Sequence, residues 1–130
     1  MKDPGNPTTE DIRLWAYDPE TTAPEQDWDI IISSDSELHS LFVRLADDDS
    51  CPKALFFLRV LYLIIGDSVR TKSRSLSKDA IAVFLAASVP NCTTPELQLW
   101  YNRSVDLLNN PAKFDYSDWC EGGLAAPQIP

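Results

Sequence analysis

The sequence predicts an all-α (mainly α) fold: a compact orthogonal or stacked bundle of about four to five helices around a central apolar helix near residues 52–70. Three observations predict it. Apolar residues recur at i, i+3 and i+4 in several windows of the 130-residue chain. Capping residues and prolines stand where those windows begin and end. The one segment rich in β-branched residues, Trp28-Asp29-Ile30-Ile31-Ile32-Ser33, has no second segment to pair with, and a lone strand is unstable.

The elements follow in order. Thr8-Thr9-Glu10-Asp11 offers a helix start, with either threonine as cap and two acids in the first turn. A helix to about Ala16 puts Ile12, Trp15 and Ala16 on one side, and Pro19 ends it. Residues 18–26 are a Pro- and Thr-rich loop. The segment 28–33 reads as a short extended or helical lead-in. Ser34 with Glu37 fits a capping box ahead of a helix carrying Leu38, Leu41, Phe42 and Leu45, closed by Asp47-Asp48-Asp49. Ser50 is a candidate cap for the central helix, and Pro52 sits near its first turn.

Residues 54–65 are apolar nearly all round, as in a helix buried by neighbours on most sides. Gly66, near the far end, permits close packing or a local bend. Ser77-Lys78-Asp79 opens the next helix, whose Ala80, Ile81, Val83, Phe84, Leu85 and Ala87 predict a broad apolar face before Pro90. Thr94 caps a last major helix with Pro95 at its first position and Leu97, Trp100, Tyr101, Val105 and Leu108 as its stripe. Residues 114–120, with Phe114, Tyr116 and Trp119, read as packed back onto the helices. The whole of 1–130 reads as one domain, with 1–7 and 122–130 as flexible tails.

Composition narrows the function. The net charge is −9, which disfavours nucleic acid and anionic membranes as partners, since both are recognised through Lys and Arg. The charge is uneven: residues 1–50 carry a net of −10, residues 51–90 a net of +4 and residues 91–130 a net of −3. Either the acidic and basic parts attract each other within the fold, or the acidic part faces a partner. Three cysteines without a CxxC pair give neither a disulfide framework nor zinc spacing. The start lacks a signal-peptide core, and the longest apolar run is too short to span a bilayer, so the cytoplasm is the expected compartment. No cofactor is implied.

Several residues have both a chemical and a structural reading. His39, the single histidine, could act as a base towards Cys51; an exposed or capping histidine outweighs that dyad. Asp47-Asp48-Asp49 could hold a hard cation, but no EF-hand frame accompanies it, and a solvated turn is the stronger reading. Arg59, inside an apolar helix, requires a partner if buried: an internal salt bridge to an acid such as those of 27–29, or, less favoured, the floor of an anion pocket. Arg70, Lys72 and Arg74, with Ser73, Ser75 and Ser77, could accept a phosphate, yet no Gly-rich loop is present. The set Trp15, Tyr17, Asp18, Glu20, Glu25, Asp27, Trp28 and Asp29 has the chemistry of a protein-binding surface, aromatic anchors ringed by charge.

The general type, a small acidic helical protein without catalytic groups, resembles bacterial immunity proteins and antitoxins that block a secreted toxin. That is a likeness of class, carried by charge and helicity and not by a motif. It implies a non-enzymatic protein that neutralises or escorts a protein partner with a basic surface. The rivals are a self-associating scaffold or subunit, such as a homodimer, and an enzyme whose site joins His39, Cys51 and Arg59.

Overall fold

Six α-helices form among the described residues. The computed structural model describes residues 1–70 and 76–122, with side chains to Trp119. The helices are α1 (Thr9–Tyr17), α2 (Trp28–Ser33), α3 (His39–Ala46), α4 (Ala54–Arg70), α5 (Lys78–Ser88) and α6 (Pro95–Asn109). Short 3-10 turns lead into α3 and follow α5 and α6, and a wide π-type turn covers Ser117–Gly122. No strand occurs among the described residues. The architecture is the all-α bundle around α4 that the sequence predicts: α4 packs against α3 and α2 on one side and against α6 and the C-terminal segment on the other.

Local chemistry sets the boundaries. Thr8 closes a full capping box with Asp11 at the start of α1. Ser77 caps α5, and Thr94 caps α6 with Pro95 at its first position. Segment 28–33 resolves as a helix, because its apolar residues Trp28 and Ile32 fall one turn apart on the buried side. Two expected caps are corrected. The Ser34–Glu37 box does not form: Asp35 accepts the Glu37 amide and starts a 3-10 turn, while Ser34 bonds back to Ile31 O. Ser50 does not cap α4, since its amide and hydroxyl both go to Asp48.

Burial refines the faces. In α1, Ile12, Trp15 and Ala16 are buried together, as expected. α4 is not buried all round: Leu55 and Arg59, one turn apart, face solvent. Only Ile81 and Leu85 of the predicted α5 face are fully apolar core, and Val83 is 70% exposed. In α6 the fully buried line runs through Leu97, Trp100, Ser104 and Leu107, with Tyr101, Val105 and Leu108 half-buried beside it.

The chain ends pack back. Trp28 donates its indole N–H to Pro4 O at 2.8 Å, and Pro7 is buried, so the start of the chain touches the core at these two prolines. Trp119 inserts against α4, where its indole N–H donates to Tyr62 O at 2.6 Å. It lies over Gly66: a Cβ there would stand 2.5 Å from Trp119 Cδ1. Close packing, and not a bend, is therefore the role of this glycine. Residues 123–130 of the expected C-terminal tail lie outside the described residues, as do Thr71–Ser75 of the basic loop.

Candidate functional site

The loop between α1 and α2 carries most of the predicted binding set. Its ends are fixed by the core. Trp15 is 8% exposed and Trp28 1%, and their rings meet edge to face at 4.7 Å. They are thus internal supports of the loop and do not present their own surface as interface anchors. Aromatic rings of this size gain more from burial than any surface loop could supply. Trp15 donates its indole N–H to Thr22 O at 2.9 Å.

Lys53, just ahead of α4, reaches back under the loop. Its ammonium donates to Trp15 O at 2.7 Å, to Asp18 O at 2.5 Å and to the Thr21 hydroxyl, and it sits 4.0 Å from the centre of the Trp15 ring. A cation at the carbonyl end of α1 satisfies acceptors that the helix leaves open and complements its dipole. Burial lowers the Lys53 pKa. At the other end Asp27 adopts the left-handed conformation, φ 59°, and turns the chain into α2.

With its interior so filled, the loop turns its acids outward. Asp18, Glu20, Glu25 and Asp27 are exposed and Asp29 is half-buried. Tyr17 is 45% exposed and donates its hydroxyl to Asp48 at 2.5 Å, which, more than burial, pushes the phenol up to about 12. The ion pairs among the described residues are Arg70–Asp67, Arg103–Asp118 and Lys113–Asp106. All lie beyond residue 50, so among the described residues no ion pair neutralises an acid of the acidic N-terminal part.

The Asp47-Asp48-Asp49 turn is not merely solvated. Asp47 accepts from the Thr93 amide at 3.0 Å, the Thr93 hydroxyl at 2.6 Å and the Thr94 amide at 2.8 Å. Burial pushes its carboxyl up, but these bonds outweigh it and leave the pKa lowered. Asp48 binds Tyr17 and Ser50, which lowers its pKa as well.

His39, Cys51 and Arg59 are not assembled into one site. The Cys51 thiol points to Ala16 O at 3.6 Å, and burial raises its pKa, away from thiolate. Arg59 is exposed on the solvent stripe of α4, which removes the need for an internal partner. The guanidinium that does turn inward is Arg103 on α6, lying 5.4 Å from the Tyr62 ring centre and 5.1 Å from that of Trp119, with Asp118 at 3.3 Å. Of the two readings, exposed or capping, the first does not hold: His39 is 5% exposed, and its Nε2 lies 2.7 Å from O of Ser33, the last residue of α2.

His39 also borders a cavity that the sequence reading missed. The cavity, about 650 Å³, lies between α2, the start of α3 and the far half of α4, with Leu76 and Tyr116 at its edge. The available signal was the polar run Ser33, Ser34, Ser36 and His39 beside an apolar helix. The opposite wall comes from α4, which no local pattern could place there.

No family model, curated protein or solved structure matches this chain. The site must therefore be read from its own chemistry. Among the described residues no helix is long and apolar enough to cross a membrane, and no group of three or more His, Cys, Asp and Glu side chains is placed to hold a metal.

Proposed function

We propose that this chain is a non-enzymatic binding protein that captures a partner with a basic surface through the loop between α1 and α2. Tyr17, Asp18, Glu20, Glu25, Asp27 and Asp29 form the contact, and Trp15 and Trp28 hold it from within. Neutralising or escorting the partner, in the manner of immunity proteins and antitoxins, is the form of the proposal that follows from its charge.

The observation that carries it is the unpaired charge on an ordered loop. Five carboxylates within residues 17–29 have no basic residue among them and no ion pair with a described residue, and Lys53, Trp15 and Trp28 hold the backbone beneath them. A loop already ordered loses less entropy on binding, and single-sign charge speeds encounter with an opposite surface.

The test compares the wild type with a variant carrying D18N, E20Q, E25Q, D27N and D29N. Asn at position 27 retains tolerance for the left-handed backbone. Each tagged protein is incubated with lysate of its source cell at about 50 mM and at about 500 mM salt, where screening lengths differ several-fold. The expected result is a basic protein bound by the wild type at low salt, weakened at high salt and lost with the variant. Identical capture by both chains, or none by either, overturns the reading.

A further inference from the structure

The cavity beside His39 has a lining with a definite hydrogen-bond sense. A carbonyl oxygen can only accept, so the 2.7 Å contact with Ser33 O places the proton on Nε2 of His39. Burial lowers the pKa of this histidine and so favours the neutral ring near pH 7. In that tautomer Nδ1 is a bare acceptor, and the one hydrogen bond of the side chain is already made through Nε2. The ring itself is 95% buried and lines the cavity.

The neighbouring hydroxyls have the same bias. Ser33 donates to Ile30 O at 2.7 Å and Ser34 to Ile31 O at 2.8 Å, which leaves their oxygens as acceptors. Across from them α4 contributes the apolar Leu63 and Ile64, continued by Leu76, with Asp67, Ser68 and Arg70 further along the same helix. Ile30 is 53% exposed, a large apolar side chain left open at the rim. An apolar wall opposite spare acceptors suits a molecule with an apolar body and a proton to donate.

We propose that this cavity binds a small phenol-class ligand, an apolar ring whose hydroxyl donates to Nδ1 of His39 while its body covers Leu63, Ile64 and Leu76. This stands apart from the acidic loop and would survive failure of the partner-binding reading. A charged head is not called for: the one acid and the one guanidinium of the described lining, Asp67 and Arg70, are paired at 2.7 Å. The ligand's hydroxyl would supply a donor for Nδ1 of His39, whose side chain makes its one hydrogen bond through Nε2.

The chain has a single histidine, so its ring nitrogens can be followed individually by ¹⁵N NMR. The probes are 4-propylphenol and its methyl ether, which share the apolar body and differ in the donor. Free protein is expected to show the Nε2–H tautomer near pH 7. The phenol should move the Nδ1 resonance and bind about three- to tenfold more tightly than the ether, the worth of one neutral hydrogen bond. Leu63→Trp, at a half-buried position on the wall, should abolish binding of both while leaving the His39 tautomer unchanged. An Nδ1–H tautomer, equal affinity for the two probes, no binding of either at millimolar concentration, or undiminished binding by Leu63→Trp would each overturn the proposal.

Discussion

Gly66 shows what one missing methyl group does. A helix interior normally disfavours glycine, by about 0.5–1 kcal/mol relative to alanine. Here the Trp119 ring occupies the space, with Cδ1 and Nε1 at 2.5 and 2.7 Å from where a Cβ would be. The ring cannot swing away freely, because its N–H is bonded to Tyr62 O and Arg103 lies against it. Gly66→Ala should therefore destabilise the protein by about 1–2 kcal/mol in urea unfolding, overpacking outweighing the gain in propensity. With Trp119→Ala already in place the same substitution should stabilise, by about 0.5–1 kcal/mol. The same sign in both backgrounds would show that the ring does not set the requirement. The sequence shows a glycine in an apolar helix and an aromatic tail, which leaves close packing and a local bend both open. It does not show that these two meet, since the contact spans most of the distance between α4 and the chain end. Arg59 is the converse case. Its apolar neighbours in sequence suggest burial, but with Leu55 it occupies the one stripe of α4 that nothing covers.

At the scale of elements, single side chains join helices that propensity alone would leave unrelated. Asp47 ends α3 and holds the amides of Thr93 and Thr94, where α6 begins. Those amides are donors that a helix start leaves unsatisfied, so the carboxylate acts as a remote cap beside the local one from Thr94. The folded pKa of Asp47 lies below its ordinary value of 3.8. Its contribution is therefore complete above that value and disappears as pH falls through the lower, folded one. Asp47→Asn should cost about 1–3 kcal/mol at pH 7, the cost of weakening a charge-assisted cap. It should also flatten the fall in stability below pH 4, seen by comparing urea midpoints at pH 7, 4 and 3. A variant whose loss of stability is the same at all three values would show that the carboxylate charge is not what α6 needs. The caps of α1, α5 and α6 are legible in sequence because donor and acceptor lie within one turn of each other. The Asp47 cap is not, because 46 residues separate its partners. The helical state of α2 is decided similarly by tertiary context: three isoleucines favour a strand, but burial of Trp28 and Ile32 on one face against α4 prevails.

For the whole molecule the question is what the separated charge does to the fold that carries it. The acidic part and the basic middle are both visible in the sequence, but whether they meet is not, since that depends on where each side chain ends. Lys53 spends its charge on backbone carbonyls under the acidic loop, Arg70 pairs within its own helix, and Arg59 stands in solvent. Among the described residues no ion pair opposes the acids of residues 1–50, and the compact state must tolerate their self-repulsion. Screening should relieve it. Raising sodium chloride from about 10 mM to about 150 mM shortens the Debye length from roughly 30 Å to roughly 8 Å and should raise Tm by roughly 3–6 °C, the equivalent of about 1 kcal/mol. The variant with five loop carboxylates neutralised, which moves the net charge from −9 to −4, should melt higher than the wild type at low salt and gain less from added salt. The two curves should then converge as screening becomes complete. A wild-type Tm that is indifferent to salt would mean that the loop is already neutralised within the fold, and the argument for a basic partner would lose its foundation. Salt-dependent stability confined to the wild type would instead show that the fold maintains this charge at a cost, which a purely solubilising role would not require to be concentrated on one braced loop.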